Sequence, residues 1–86
     1  MITMRMHDGL HVRNATVRVV YLDRNVHGIW SLGVNGKTVL TVTCKGTGRW
    51  VAAEAQIDVV DGGDVLTIWS PDRKDSVFSL LEVYSQ

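Results

Sequence analysis

The sequence predicts a small all-β protein, built as an antiparallel meander in which successive strands pair. Three two-residue turn signals, Asp8-Gly9, Asn35-Gly36 and Gly62-Gly63, separate runs in which hydrophobic and polar residues alternate. Residues 16–20 are dense in β-branched side chains, which favour strands. We expect six or seven strands that close into a small barrel or fold into a sandwich.

Composition places the chain among globular proteins. Its 86 residues, 45% hydrophobic and 21% charged, suit one domain spanning residues 1–86. No apolar run approaches the ~20 residues of a membrane span, and no signal-peptide pattern opens the sequence. Cys44 is the single cysteine, so we expect no internal disulfide and no cysteine zinc cluster. A cytoplasmic, cofactor-free protein is the simplest expectation.

Charge is unevenly distributed although its sum is zero. Residues 1–43 hold five basic and two acidic residues, a net charge of +3, and residues 44–86 hold four basic and seven acidic residues, a net charge of −3. Halves of this kind can neutralise each other within the fold or between two copies. A nucleic-acid-binding protein usually carries a clearer basic excess.

The first part of the chain predicts a hairpin and a long strand. Residues 3–12 alternate around Asp8-Gly9, which favours a type I′ turn. In residues 10–21 the apolar positions change from even numbers to odd numbers. A change of phase of this kind predicts a bulge near Arg13-Asn14 or a break between two strands.

The middle of the chain predicts three further hairpins. Residues 29–34 and 37–44 pair around Asn35-Gly36, and a loop at residues 46–48 then pairs 37–44 with a strand from Trp50, so that Cys44 lies opposite Trp50. Residues 50–60 then pair with 65–70 around Gly62-Gly63, so that Asp61 faces Asp64. Residues 50–58 also suit a short helix, which is the main alternative to a strand here. A turn at residues 70–75 and a last strand at 76–85 complete the meander.

These pairings divide the side chains between two faces of one sheet. The predicted core face collects Trp30, Leu32, Val34, Val39, Thr41, Val51, Ala53, Ala55, Ile57, Val59, Leu66 and Ile68. The opposite face collects Ile29, Leu40, Val42, Cys44, Trp50, Glu54, Gln56, Asp58, Thr67 and Trp69. The second face is too apolar for a freely solvated surface and too polar at one end for a core.

No pattern in the sequence predicts catalysis or metal binding. His7 and His11 point to opposite faces of the predicted hairpin, which prevents them from binding one metal ion. Cys44 would need a histidine such as His27 beside it to act as a nucleophile, and a buried thiol is the commoner arrangement. Asp61 and Asp64 sit in a tight turn, where aspartate side chains hydrogen-bond to the nearby backbone. This structural role explains both residues without catalysis. We therefore predict a non-enzymatic protein with no catalytic or metal site.

The tryptophans give the best indication of function. Trp50 and Trp69 fall on the partly polar face, rimmed by Arg49, Glu54, Gln56 and Asp58. Aromatic residues are enriched where proteins bind other proteins. We predict a binding module that recognises a protein partner, or its own copy as a homodimer, through this face. It would act by occlusion or scaffolding, as small virus-encoded inhibitors do.

A nucleic-acid-binding small barrel is the alternative function. Bases would stack on Tyr21 or a tryptophan. The phosphates would be contacted by Arg13, Arg18, Arg24, Lys45 and Arg49. The balanced net charge argues against this alternative.

Overall fold

The all-β class is confirmed by the structure. The computed structural model describes residues 2–24, 26–70 and 78–85, with only the backbone described for Leu80. Residues 71–75 of the predicted turn at 70–75, and the predicted strand start at 76–77, lie outside these residues. The described residues form seven strands: β1 (Ile2–Arg5), β2 (His11–Asp23), β3 (Ile29–Val34), β4 (Lys37–Thr43), β5 (Arg49–Asp61), β6 (Val65–Trp69) and β7 (Phe78–Ser85). The short helix considered for residues 50–58 does not form, because these residues belong to β5.

The strands form two antiparallel sheets rather than one meander. The four-stranded sheet has the order β1-β6-β3-β4, and the three-stranded sheet has the order β5-β2-β7. Within the described residues the two sheets do not close into a barrel. Of the predicted hairpins, only β3–β4 forms, with both Asn35 and Gly36 at positive φ. The predicted pairings of β5 with β4 and with β6 were wrong, since β5 pairs with β2, β4 pairs with β3, and β6 pairs with β1 and β3.

Two predicted turns form but carry the chain from one sheet to the other. The turn at residues 8–9 links β1 to β2, and the turn at residues 62–63 links β5 to β6. The two turns lie against each other, because Gly62 N donates to the Leu10 carbonyl at 2.8 Å and Gly63 N donates to the Met6 carbonyl at 2.9 Å. A Cβ on Gly62 would lie 2.7 Å from the His7 carbonyl oxygen. Glycine at position 62 is therefore required for this close approach.

The β2–β5 ladder is the longest among the strands that the structure describes. It runs from the pair His11–Asp61 to the pair Asp23–Arg49, and its register skips Asn14, which has a φ of 49°. The predicted irregularity near Arg13-Asn14 therefore lies at Asn14. The side of β2 that faces the core changes at Asn14, since after this residue the odd-numbered side chains are the ones buried.

A bulge in the β3–β4 hairpin explains an error in the predicted core. The register shifts between Leu32 and Gly33, so Leu32 pairs with Leu40 and Trp30 pairs with Val42. A shift of one residue moves every later side chain to the other face. Leu40, Val42 and Cys44 therefore pack with the core instead of on the opposite face, and Thr41 is exposed.

The core lies between the two sheets. Trp30 of β3 is fully buried and makes edge-to-face contacts with Tyr21 of β2 and Phe78 of β7, at ring centroid distances of 5.2 and 5.4 Å. The buried cluster comprises Val17, Val19, Tyr21, Trp30, Leu32, Cys44, Ala55, Leu66 and Ile68. The predicted core residues Val34, Val39, Val51, Ala53 and Ile57 pack against it, whereas Val59 is exposed. The prediction that Trp30 belongs to the core is confirmed.

Candidate binding surface

The outer side of the three-stranded sheet carries the main candidate surface. In β2 the odd-numbered residues Val17, Val19 and Tyr21 are in the core, so the even-numbered residues point away from it. The register places even-numbered residues of β5 and β7 beside them. We call this surface the Trp50 face; its members are Thr16, Arg18, Val20, Leu22, Trp50, Ala52, Glu54, Gln56, Glu82 and Tyr84.

One end of the Trp50 face is apolar. Trp50 pairs with Leu22, and Ala52 pairs with Val20 in the next row. Trp50 is 53% exposed, Ala52 is exposed, and Leu22 and Val20 are half-buried. A large aromatic side chain thus stands in solvent beside a small aliphatic patch. Exposed groups of this kind contribute little to the monomer and much to an interface.

The middle of the Trp50 face is charged. Arg18 lies between Glu54 of β5 and Glu82 of β7, and its Nη1 donates to Glu82 Oε1 at 3.1 Å. The Arg18 and Glu82 side chains are both partly exposed, so this ion pair adds little stability to the monomer. The row of one basic residue, Arg18, and two acidic residues, Glu54 and Glu82, has a net charge of −1. It therefore offers a partner both an acceptor and a donor.

The far end of the Trp50 face is polar. Thr16 is fully buried although it points away from the core, and its hydroxyl donates to Gln56 Oε1 at 3.3 Å. Tyr84 pairs with Thr16 from the other side and is 39% exposed. The face therefore changes from apolar at Trp50 to polar at Tyr84, which gives it a direction along the strands.

The loop before β5 is fixed by the carboxylate of Asp23 at the end of β2. Asp23 Oδ1 accepts from the backbone N–H of Lys45 at 2.7 Å and of Gly46 at 3.1 Å. Asp23 Oδ2 accepts from the Thr47 backbone N–H at 3.2 Å and the Thr47 hydroxyl at 2.8 Å. Desolvation raises the pKa of Asp23, but these hydrogen bonds outweigh it and lower the pKa to about 2. The start of β5, and with it Trp50, is held in place by this contact.

The predicted site residues do not share one surface. Trp50, Glu54 and Gln56 lie on the Trp50 face, Arg49 is exposed at the start of β5, and Asp58 is exposed opposite Asn14. Their role in binding stays a prediction.

Trp69 lies on the outer side of the other sheet. It pairs with Ser31, and its six-membered ring covers Gly33, where a Cβ would lie 2.9 Å from Trp69 Cζ3. The prediction that Trp50 and Trp69 share a face was wrong because it assumed that β5 pairs with β6.

Three other residues that the sequence brought into question, Tyr21, Cys44 and His11, have structural contacts. Tyr21 is buried against Trp30, so its ring is not available for stacking bases. Burial and the nearby Asp23 carboxylate raise the pKa of Tyr21. Cys44 is buried, and its contact with residue 27 is a backbone hydrogen bond from His27 N to the Cys44 carbonyl. His11 forms a surface ion pair with Asp61 across the β2–β5 ladder when protonated.

Two further observations concern metal ions and membranes. No group of three or more histidine, cysteine or acidic side chains that could hold a metal ion occurs in the described parts of the chain. Residues 2–24, 26–70 and 78–85 likewise contain no helix long and apolar enough to cross a membrane.

Comparisons with protein families, with curated proteins and with solved structures gave no match. The function is therefore inferred from the residues of this chain and their placement.

Proposed function

We propose that this protein is a non-catalytic binding module that recognises a protein partner through the Trp50 face. The observation that carries the proposal is the exposure of Trp50 at the apolar end of a rigid sheet. A tryptophan that is 53% exposed beside Leu22 and Val20 has the character of an interface anchor. Such residues give most of the affinity of an interface when they become desolvated.

The neighbouring charged row would set the specificity of the contact. Glu54 and the ion pair of Arg18 with Glu82 adjoin the apolar end, so a partner must match an aromatic anchor and a charge pattern together. Both features lie on paired strands, which keep their backbone fixed. Little conformational entropy is lost when a rigid surface of this kind binds.

The protein would act by occupying a surface of its partner and not by catalysing a reaction. A rigid domain of 86 residues can occupy a partner's surface and block it, as small virus-encoded inhibitors do, or hold two proteins together. A second copy of the same chain is the alternative occupant of the Trp50 face. A homodimer through this face would be isologous, with the same residues on both sides.

Site-specific photocrosslinking in the native host tests the proposal. A photoreactive amino acid with an aromatic side chain, which keeps an aromatic ring at the anchor position, replaces Trp50 in one variant and Val26 in a control variant. Val26 is 54% exposed, which matches the exposure of Trp50, but it lies in the loop between β2 and β3. We expect a discrete protein adduct from position 50 that is absent from position 26.

The mass of the adduct separates the two occupants. An added mass equal to one further chain of 9.6 kDa identifies a homodimer, and any other discrete mass identifies a foreign protein. The proposal is wrong if position 50 gives no adduct, or if both positions give the same adducts.

A further inference from the structure

A groove separates the edge strands of the two sheets. β4 ends the four-stranded sheet and β5 ends the three-stranded sheet, so each has a strand neighbour on one side only among the residues that the structure describes. The loop that joins them is held by Asp23, and beyond it the strands enclose a groove of about 440 Å³. Its size is that of a ligand site, which typically measures about 300–1,000 Å³.

The groove has an apolar floor and polar edges. Val34 and Val39 come from the β3–β4 hairpin, and Ile57 and Val59 come from β5. Val34, Val39 and Ile57 are half-buried, and Val59 is 37% exposed. The polar lining residues are Lys37, Gln56 and Asp58. Aliphatic side chains partly open to solvent between two strand edges are suited to receive the side chains of a further strand.

The charge of β5 restricts what can lie beside it. After Arg49 at its start, β5 carries Glu54, Asp58 and Asp61 and no further lysine or arginine, and Lys37 lies on the β4 side of the groove. Glu54 and Asp58 are both exposed. Opposite charges facing each other across neighbouring strands stabilise a sheet, and like charges destabilise it. A strand that pairs with β5 is therefore favoured when it is basic.

We propose that the groove between β4 and β5 binds an extended, basic peptide segment of a partner protein, which adds to the three-stranded sheet as a neighbour of β5. Main-chain hydrogen bonds to the edge of β5 supply the affinity. Apolar side chains at alternate positions enter the groove between Val39 and Ile57, and lysine or arginine residues between them face Glu54 and Asp58. This site lies at the free edge of β5 and shares Glu54 and Gln56 with the Trp50 face, but it uses neither Trp50 nor Leu22.

A second copy of this chain is a poorer occupant than a basic peptide. Self-pairing would place β5 against an identical acidic strand. Antiparallel registers centred on Glu54, Gln56 or Asp58 each bring two acidic residues directly opposite each other. A peptide with basic residues at alternate positions avoids this repulsion in every register.

The test uses a seven-residue peptide of alternating lysine and valine, acetylated and amidated at its ends, titrated into the ¹⁵N-labelled full chain. We expect saturable shifts of the amide signals of Val39 and Ile57, without comparable shifts at Leu22 on the Trp50 face. Two companion peptides carry N-methyl groups on all lysines or on all valines. An extended strand presents alternate N–H groups to one neighbour. Only the peptide that is methylated on the N–H groups facing β5 should therefore bind more weakly, with an affinity lower by at least about tenfold.

Charge reversal tests the electrostatic part of the proposal. Asp58→Lys should weaken binding of the lysine peptide and strengthen binding of the matching glutamate peptide. Asp8→Lys is the matched control, because it makes the same change in net charge at an exposed turn residue outside the groove. It should change both affinities by less than about twofold.

Three results would overturn the proposal. The first is no saturable binding of the lysine peptide, and the second is equal binding of both N-methylated forms. The third is concentration-dependent self-association that shifts the same Val39 and Ile57 signals, which would assign the groove to a second copy. The photocrosslink at position 50 reports on contact with Trp50, whereas the peptide titration reports on Val39 and Ile57, so either proposal can fail while the other stands.

Discussion

The Thr47 hydroxyl lies 2.8 Å from Asp23 Oδ2 and donates a hydrogen bond to it. The contact joins the end of β2 to the loop that precedes β5, and the same carboxylate accepts three backbone N–H groups of that loop. Gly48 N also donates to the Asp23 carbonyl at 2.6 Å. A single residue thus fixes the point where the chain leaves the four-stranded sheet and begins the strand that carries Trp50.

We expect Asp23→Asn to destabilise the protein in a pH-dependent way. One carboxylate oxygen becomes an NH₂ group, which faces N–H and O–H donors and cannot accept from them. Because the pKa of Asp23 is lowered from 3.8 to about 2, its charge stabilises the fold fully above about pH 4, and this contribution is lost as the pH falls towards 2. Denaturant midpoints of both proteins at pH 6 and pH 2.5 should therefore differ more at pH 6. An equal difference at both pH values would contradict the account of this carboxylate.

Truncation of the tryptophans should separate core from surface. Trp30→Ala should cost ~3–5 kcal/mol of unfolding free energy, since Trp30 is fully buried between Tyr21 and Phe78. Trp30→Phe should cost less, because it fills most of the space and removes a buried indole N–H that has no acceptor among the described residues. Trp50→Ala should cost about 1 kcal/mol or less. Chemical denaturation of the three variants checks this order, and a Trp50 variant as unstable as Trp30→Ala would contradict it.

Gly33 and Trp69 should be energetically coupled. A methyl group at position 33 would lie 2.9 Å from Trp69 Cζ3 and 3.2 Å from Cη2, so the indole must move. Gly33→Ala should therefore cost ~1–3 kcal/mol in the natural sequence, the usual cost of overpacking. In a Trp69→Ala background the same substitution should cost at least about 1 kcal/mol less. The double-mutant cycle measures this coupling, and additive effects would show that the ring does not rest on Gly33.

Gly62→Ala should destabilise the contact between the two turns. The added Cβ would lie 2.7 Å from the His7 carbonyl oxygen and 2.8 Å from Gly9 N, which are backbone atoms with little freedom to move. We expect a cost of about 3 kcal/mol, at the upper end of overpacking. Gly48→Ala is the control, because residue 48 has a φ of 75° but open space around it. It should cost ~1–2 kcal/mol from the left-handed backbone alone, so an equal or larger loss for Gly48→Ala would contradict the close packing at Gly62.

The local features of this fold could be predicted from the sequence. The type and approximate limits of the strands follow from alternation and β-branched residues, and Asn35-Gly36 does close a hairpin. The change of phase near Asn14 is visible as a change from even to odd apolar positions. Trp30 is assigned to the core by its alternation with Leu32. Each of these depends on residues that are close together in the sequence.

The pairing of distant strands could not be predicted in the same way. The turn at residues 62–63 has the composition of a hairpin turn, but its N–H groups bond to Met6 and Leu10, which are more than fifty residues away. Alternation along β5 is satisfied equally well by β2 or by β6 as its neighbour, so parity cannot choose between them. Trp69 was consequently assigned to the same face as Trp50, opposite Gln56. The bulge at Leu32 and Gly33 has no sequence signal other than the glycine itself.

The affinity of Trp50→Ser for the protein crosslinked at position 50 tests the central proposal most directly. We expect binding to weaken by about 30-fold or more, which corresponds to the ~2 kcal/mol lost when an interface anchor is truncated. The denaturant midpoint should stay close to that of the natural sequence, because Trp50 is largely exposed. Unchanged affinity in a folded Trp50→Ser protein would contradict the proposal that the Trp50 face binds the partner.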